Sequence, residues 1–551
     1  MSQRPEGSKA AAAAQLELFT QRFAALAREM GEQLRRTAMS TNVKERLDFS
    51  CALLDPQGRL VVNAPHIPVH LGALGLCVRA VVAELAMEPG DVVVTNHPAF
   101  GGSHLPDVTV ITPVFATEEE QDCELEAHSS PRGSLLGYVA SRAHHAEIGG
   151  ARPGSMPPSA SCLAEEGVVL SPTYLLRRGT PRWDQIRRRL MSGPYPSRSL
   201  EENLADLAAA VAANHRGAAA LRQLAEDHGA PVVLAQMKGL RQLAKDALSQ
   251  ALTTLPQGPW KALTRLDDGT PLKVAIHRQG SGLRVDFSGS GPVHRGNLNA
   301  PPAVTTSAVL YVLRLLLQDS LPLNEGLLES VEMVLPPGLL NPPFDLSPER
   351  APAVVGGNVE TSQRVVEVLL MAFGLAAASQ GTMNNTLFGN ESFGYYETVC
   401  GGAGAGPDFA GASGVHTHMT NTRITDPEVL EHRYPVRLER FALRRGSGGE
   451  GQHRGGDGVV REIVFLQPMA LSLLSQHRRS GPPGAEGGGA GLPGRQVIVP
   501  VSGGEPQPLE AIDARDVRAG DRLVLETPGG GGWGSPGSET EIAPARDPER
   551  T

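Results

Sequence analysis

The chain has 551 residues, 40% of them hydrophobic and 20% charged, with a formal net charge of -9. This is the make-up of a globular protein of about two to four domains, and no lysine- or arginine-dense tract points to nucleic acid as a partner. Its five cysteines, Cys51, Cys77, Cys123, Cys162 and Cys400, form no CxxC pair, which argues against a thiolate zinc site and a disulfide framework and fits a reducing cytoplasm.

The opening MSQRPEGSKAAAAAQ lacks the apolar core of a signal peptide, and residues 1–17 read as a flexible start. Leu16, Phe19, Phe23, Leu26 and Met30 recur at helical spacing, which predicts an amphipathic helix over 12–38. TNVKERLDFS (41–50) is dense in charge and reads as a solvated helix end. CALLDPQGRLVVN (51–63) comes next as strand, turn and strand, with DPQG as the turn. A helix over 72–87 stops at Pro89-Gly90. VVVT (92–95) and VTVITPVF (108–115) are strands, and the acidic stretch 117–135 reads as an exposed loop.

Residues 198–254 carry a helical pattern, and PLKVAIH and LRVDFSG form a hairpin around RQGSG. Helices are predicted near 301–318 and 360–379. The second contains the most apolar stretch, VVEVLLMAFGLAAA, which is too short to span a bilayer and carries Glu367, so no membrane segment is expected. After about 440 the chain is glycine-punctuated and strand-like to about 527, and 535–551 reads as a disordered tail. The expected class is mixed α/β (α+β). An N-terminal α/β region, 18–257, carries the histidine loops, and a C-terminal α/β region, 258–534, carries the glycine-rich loops.

Between the strands flanking residues 96–107 lies NHPAFGGSHLPD. His104 and Asp107 stand three apart on a turn stiffened by Pro106, where imidazole and carboxylate can share one cation such as Zn²⁺, Mn²⁺ or Fe²⁺. Equally, Asp107 can satisfy the loop's own N–H groups. SRAHHAEIGGARPGSMPP (141–158) repeats the construction, a strand ending in His144, His145 and Glu147. Adjacent residues of an extended chain point to opposite sides, so one of the two histidines is expected to face a given site.

The run VCGGAGAGPDFAGASGVHTHMTNTRITDPEVLE (399–431) has no strand–glycine–helix order, and no GxxxxGK[ST] occurs, so a phosphate loop is rejected. Its glycines permit close approach to a ligand or another loop. His416 and His418 share one face of an extended chain, as ligands or as satisfied core histidines. Asn421, Arg423 and Asp426 offer a carboxylate-binding set, or a structural turn.

STNVKERLDFSCALLD, APHIPVHLGAL, GDVVVTNHPAFGGSHLPDVTVITPVF, HHAEIGGARPGSMPP, QGTMNNTLFGN and HTHMTNTRITDPEVLE together resemble the hydantoinase B/5-oxoprolinase family from about residue 18 to 534. The resemblance implies the family's multi-segment fold and places metal ligands at His104, Asp107 and one of His144 and His145, for Mn, Zn, Fe or Mg. The usual GHHAD appears here as Ala143-His144-His145-Ala146-Glu147, which keeps the charge but lengthens its reach. Asn96-His97-Pro98 stands where hydantoinase- and acetone-carboxylase-type members usually have NDP, and this looks like the C-terminal half of an ATP-dependent 5-oxoprolinase.

The likeness further implies a heteromer with a kinase-like A subunit that binds ATP-Mg, and hydrolysis of 5-oxo-L-proline to L-glutamate. His97 and Glu147 are the expected acid/base residues, and Asn96, Asn421, Arg423 and Asp426 the expected lactam contacts. The alternatives are an ATP-dependent hydantoinase, a carboxylase subunit, or a non-catalytic scaffold for the A subunit.

Overall fold

A computed structural model describes residues 6–63, 67–117, 133–317 and 321–536. Cys123, most of the acidic stretch 117–135, residues 1–5 and the expected tail from 537 onward lie outside the described residues.

β1 (Phe49–Leu54) and β2 (Leu60–Asn63) form the hairpin expected around Asp55–Gly58, where the Gly58 N–H donates to the Asp55 carbonyl at 2.8 Å. β3 (Val92–Thr95), β4 (Asp107–Phe115), β5 (Leu135–His144), β6 (Thr173–Arg177) and β7 (Thr180–Pro181) extend it into a seven-stranded antiparallel sheet, ordered β2-β1-β5-β4-β3-β6-β7. Both faces are covered. In β1, Phe49, Cys51 and Leu53 join the core beneath the helices Glu6–Thr37 and Leu200–His228, whereas Ala52 and Leu54 join the core beneath the helix Pro68–Glu84. Strands alternate with period two, so burial on both faces reads in sequence as an unbroken apolar run.

β8 (Trp260–Arg265), β9 (Pro271–Gln279), β10 (Gly282–Asp286) and β11 (Val331–Val334) make a second sheet, packed with the helices Pro302–Leu315 and Ser362–Phe373. The helix Ala230–Thr254 bridges the two regions. Val233, Met237 and Leu240 lie in the first core, and Ala244, Leu248 and Leu252 in the second, so the second core reaches back across residue 258.

β12 (Asn385–Asn390), β13 (Phe393–Glu397), β16 (Met469–Leu474) and β19 (Ile512–Val517) form the third sheet, ordered β13-β12-β16-β19. β14 (Val436–Arg444), β15 (Gly458–Phe465), β17 (Arg495–Val499), β18 (Gln507–Pro508) and β20 (Arg522–Glu526) form the fourth, ordered β14-β15-β20-β17-β18.

The glycine-rich segments stack on one another. Gly530 N–H donates to Gly456 O at 2.8 Å, Gly449 N–H to Gly530 O at 2.8 Å and Gly456 N–H to Ala403 O at 2.9 Å. A Cβ on Gly530 would overlap the Ala403 carbonyl, so glycine here serves backbone-to-backbone packing.

Three expectations change. The first helix begins at Glu6, well before residue 12, and the helix expected over 72–87 runs Pro68–Glu84. The segment 41–50 is no solvated end. Arg46 is fully buried and donates to the carbonyl of Tyr396 at 2.7 Å and to the hydroxyls of Thr398 and Thr422 at 3.1 and 3.2 Å. No helix among the described residues is long and apolar enough to cross a membrane.

Candidate metal centre

Asp107 opens β4 and His144 closes β5, and the register makes them direct cross-strand partners. Parity then fixes their direction. In β4, Val108 and Val110 face the long helices while Ile111 faces the helix Pro68–Glu84, which puts Asp107 on the latter side. In β5, Ala143 faces the long helices and Ala140 the other layer, so His144 shares the face of Asp107. His145 turns the opposite way, where its Nδ1 lies 3.1 Å from the Asn203 side-chain amide on the helix Leu200–His228. Of the two adjacent histidines, His144 meets Asp107.

His104 completes the group from the turn before β4. Its Nε2 is 3.1 Å from Asp107 Oδ1 and 3.2 Å from His144 Nδ1, and the latter is 3.3 Å from the same oxygen. All three residues are buried, and they are the metal-capable cluster found among the described residues. Hydrogen bonding within the triangle is incomplete: His104 Nε2 and His144 Nδ1 meet, but Asp107 Oδ1 receives no hydrogen bond and is shielded from water. A cation between the three atoms removes that deficit, because bonds of about 2.0–2.2 Å to imidazole nitrogen and carboxylate oxygen set donors at this spacing. The cavity beside the three has a volume of about 20 Å³, room for one ion or one water. Two nitrogens and one oxygen suit a borderline divalent ion, so the residues present fit the group.

Electrostatics favour the ligand forms. Burial pushes the Asp107 carboxyl up, but His104 and His70 outweigh it and hold it well below the usual carboxylate range. Burial lowers the pKa of His144 against the pull of Asp107, which keeps the imidazole neutral. The outer oxygen, Asp107 Oδ2, is fixed by the Ser103 hydroxyl at 2.5 Å and by His70 Nε2 at 3.2 Å. His70 comes from the first turn of the helix Pro68–Glu84, and its Nδ1 lies 3.2 Å from Ser50 Oγ. The sequence alone assigns it nothing, although a histidine in the first turn of a strongly apolar helix is a usable signal. Tyr396 of β13 stacks on the His144 ring at 4.5 Å and 20°, and the buried Arg46 lies 4.8 Å from the centre of the Tyr396 ring. Asp48 also lines the cavity.

The remaining expected site residues sit elsewhere. Asn96 spends its amide on the backbone, donating to Leu105 O and Val168 O and accepting from Leu170 N–H. Glu147 is enclosed by its own loop, accepting from the N–H groups of Gly149 and Gly154 and from Arg198 at 3.1 Å. Burial raises its carboxyl pKa against those donors. Asp426 caps the helix Pro427–Arg433 by accepting from Glu428 N–H. Arg423 is exposed, and its backbone pairs with Arg46. Asn421 is exposed and borders a separate cavity. None of Asn96, His97, Glu147, Asn421, Arg423 and Asp426 lines the cavity of the three-residue cluster.

His97 caps the short helical turn Pro98–Phe100, its Nδ1 accepting from Ala99 N–H at 3.1 Å. Aspartate does the same job as a cap, so NDP and NHP both satisfy this turn. His97→Asp is therefore expected to keep the cap and leave the urea midpoint at pH 7 unchanged, and a loss of about 1 kcal/mol or more would contradict the capping role.

Burial holds His97, His416 and His418 at about 4, against an ordinary value of 6.5. The unfolded chain therefore takes up these protons first, and stability is full above about pH 6.5 and lost as pH falls toward 4. The urea midpoint is expected to fall from pH 7 to pH 5, and the triple variant His97→Asn, His416→Asn, His418→Asn to flatten that slope. An equal slope in both would contradict this.

The Hydantoinase B/oxoprolinase family model matches residues 12–536. 5-Oxoprolinase 1 of Arabidopsis thaliana is 45% identical over 95% of this chain and 42% of its own length. 5-Oxoprolinase of Saccharomyces cerevisiae is 43% identical over 94% of this chain and 41% of its own. This chain thus spans about two fifths of the length of these curated relatives. The crystal structure of ATP-dependent caprolactamase from Pseudomonas jessenii shares the fold, with a TM-score of 0.82 at 24% identity over 95% of this chain and 91% of that one. Sequence, length of match and fold agree: the chain belongs to the hydantoinase B/oxoprolinase family.

Proposed function

We propose that this chain is the B portion of an ATP-dependent 5-oxoprolinase, which opens the ring of 5-oxo-L-proline to L-glutamate with a kinase-like A chain or domain. The convergence of His104, Asp107 and His144 on one buried point carries this reading. Identity above 40% to two chains named 5-oxoprolinase supports the substrate class.

A five-membered lactam is a resonance-stabilised amide with a poor leaving nitrogen. In this reading ATP, bound by the A part, phosphorylates the lactam oxygen. One water then adds at the activated carbon as the C–N bond breaks and the nitrogen takes a proton, and a second water removes the phosphate. The sum is 5-oxo-L-proline, ATP and two waters giving L-glutamate, ADP and phosphate.

His104, Asp107 and His144 would hold a divalent ion, which when bound supplies Lewis-acid chemistry. His70 and Ser103 orient Asp107, and Tyr396 and Arg46 brace the His144 ring. Asp48, the other carboxylate lining the cavity, is placed to take a proton from water.

The test is reconstitution with an A chain of the same family. ATP-dependent release of glutamate from 5-oxo-L-proline is expected, with one ADP per glutamate. Turnover of hydantoins in its place, or assembly without any hydrolysis, would overturn the reading.

A further inference from the structure

The cavity beside the three ligands holds an ion but not a lactam, so the ring must be held next door. A second cavity, of about 510 Å³, adjoins it. Two chain segments wall both spaces. Ile67 lines both; Val69 and His70 face the small cavity while Pro68 and Leu71 face the large one. At the other wall, Thr420 faces the small cavity and its neighbour Asn421 the large one.

The large cavity is basic. Arg28 and Arg314 line it, and no aspartate or glutamate among the described residues does, in a chain whose net charge is -9. Arg314 donates from Nε to the Leu321 carbonyl at 3.0 Å, and its two Nη groups have no partner among the described residues. Arg28 is exposed at the rim of the cavity and forms no hydrogen bond or ion pair among the described residues. Two other arginines of these helices and their neighbours meet carboxylates: Arg79 pairs with Glu325, and Arg241 with Asp55 and Glu329. Leu71, Tyr311 and Leu323 supply apolar wall for a ring. A half-buried guanidinium with two free Nη groups, and an exposed guanidinium and amide at the rim of an apolar cavity, are groups a small cyclic acid can use.

We propose that this cavity recognises the carboxylate of the lactam acid, with Arg314 and Arg28 as its cations and Asn421 as its amide, holding the ring beside the metal centre. The assignment rests on the lactam-hydrolase reading above and adds the determinant of substrate charge.

The experiment uses the chain assembled with its A part and two lactams, 5-oxo-L-proline and 2-pyrrolidinone, which lacks the carboxylate. Binding of each is read by calorimetry and turnover by amine release. Arg314→Gln and Arg28→Gln are expected to reduce the preference for 5-oxo-L-proline about 10- to 100-fold, the value of a charge-assisted contact. Arg314→Lys should recover part of the loss, because it keeps the cation. An equal loss for both lactams would overturn the proposal and place the arginines at the phosphate or at the subunit contact. So would wild-type binding that does not discriminate the two. Wild-type preference for 5-oxo-L-proline with unchanged variants defeats this inference alone. Specific binding of 5-oxo-L-proline without hydrolysis defeats the functional reading and leaves the recognition site standing.

Discussion

Asp107→Asn is expected to abolish retention of a divalent ion and to lower ATP-dependent ring opening by about 10³-fold or more. The exchange keeps the shape of the side chain and removes the anion. It leaves two imidazoles and no anion, a weak set for a divalent ion. Lewis-acid stabilisation is worth several kcal/mol, and each 1.4 kcal/mol is tenfold in rate. The variant should fold, because Ser103 and His70 can both still hydrogen-bond the amide in place of Oδ2. Metal content after gel filtration, turnover with 5-oxo-L-proline and the urea midpoint check the three parts. A folded variant with wild-type turnover would mean that the cluster is a structural hydrogen-bonded turn.

Much of this centre is legible in the amino-acid sequence. HLPD leads into a strand and SRAHH ends one, and both put ligand-type side chains at the cluster. Which of His144 and His145 takes part is not legible there, because it depends on a long-range register. Once Asp107 is paired with His144, the period of two decides the matter.

The expected site residues outside the cluster have partners of their own. Asn96 and Glu147 are polar, buried and in the right motifs, yet Glu147 accepts from the amides of its own loop, and Asn96 bonds Leu105 O in its own loop and Val168 O and Leu170 N–H in a distant one. Such loops leave backbone groups that have to be paired by something, and a neighbouring side chain is the nearest candidate. Asp426 carries its own signal as a cap, Asp followed by Pro and Glu at a helix start. Arg46 is hidden because a buried arginine reads in sequence like a solvated one. Its partners lie more than 300 residues away, on the Tyr396 carbonyl and the Thr398 and Thr422 hydroxyls.

Arg461→Met is expected to cost about 3–5 kcal/mol of stability, the range for removing one partner of a buried ion pair. Arg461 of β15 and Glu397 of β13 are both buried, and the guanidinium holds the carboxylate at 2.7 and 2.9 Å. Tyr395 Oη donates to the same carboxylate at 3.0 Å. With Arg461 gone, the Glu397 charge has that hydroxyl alone and no water. The pair joins the third sheet to the fourth, and it fixes the strand whose neighbouring residue, Tyr396, stacks on His144. Loss of stability should therefore come with weakened metal retention. Arg461→Met combined with Glu397→Leu should recover most of the stability, since no charge is left stranded. A single variant as stable as wild type in urea would show that the pair contributes nothing net.

The central claim is that one divalent ion sits between His104, Asp107 and His144. Anomalous diffraction at the metal's absorption edge, on crystals of the complete protein grown with Mn²⁺ or Zn²⁺, tests it most directly. The account predicts a single strong peak within about 2.0–2.3 Å of His104 Nε2, Asp107 Oδ1 and His144 Nδ1. It also predicts no such peak in Asp107→Asn. A metal bound at another set of residues, or an undiminished peak in that variant, would contradict it.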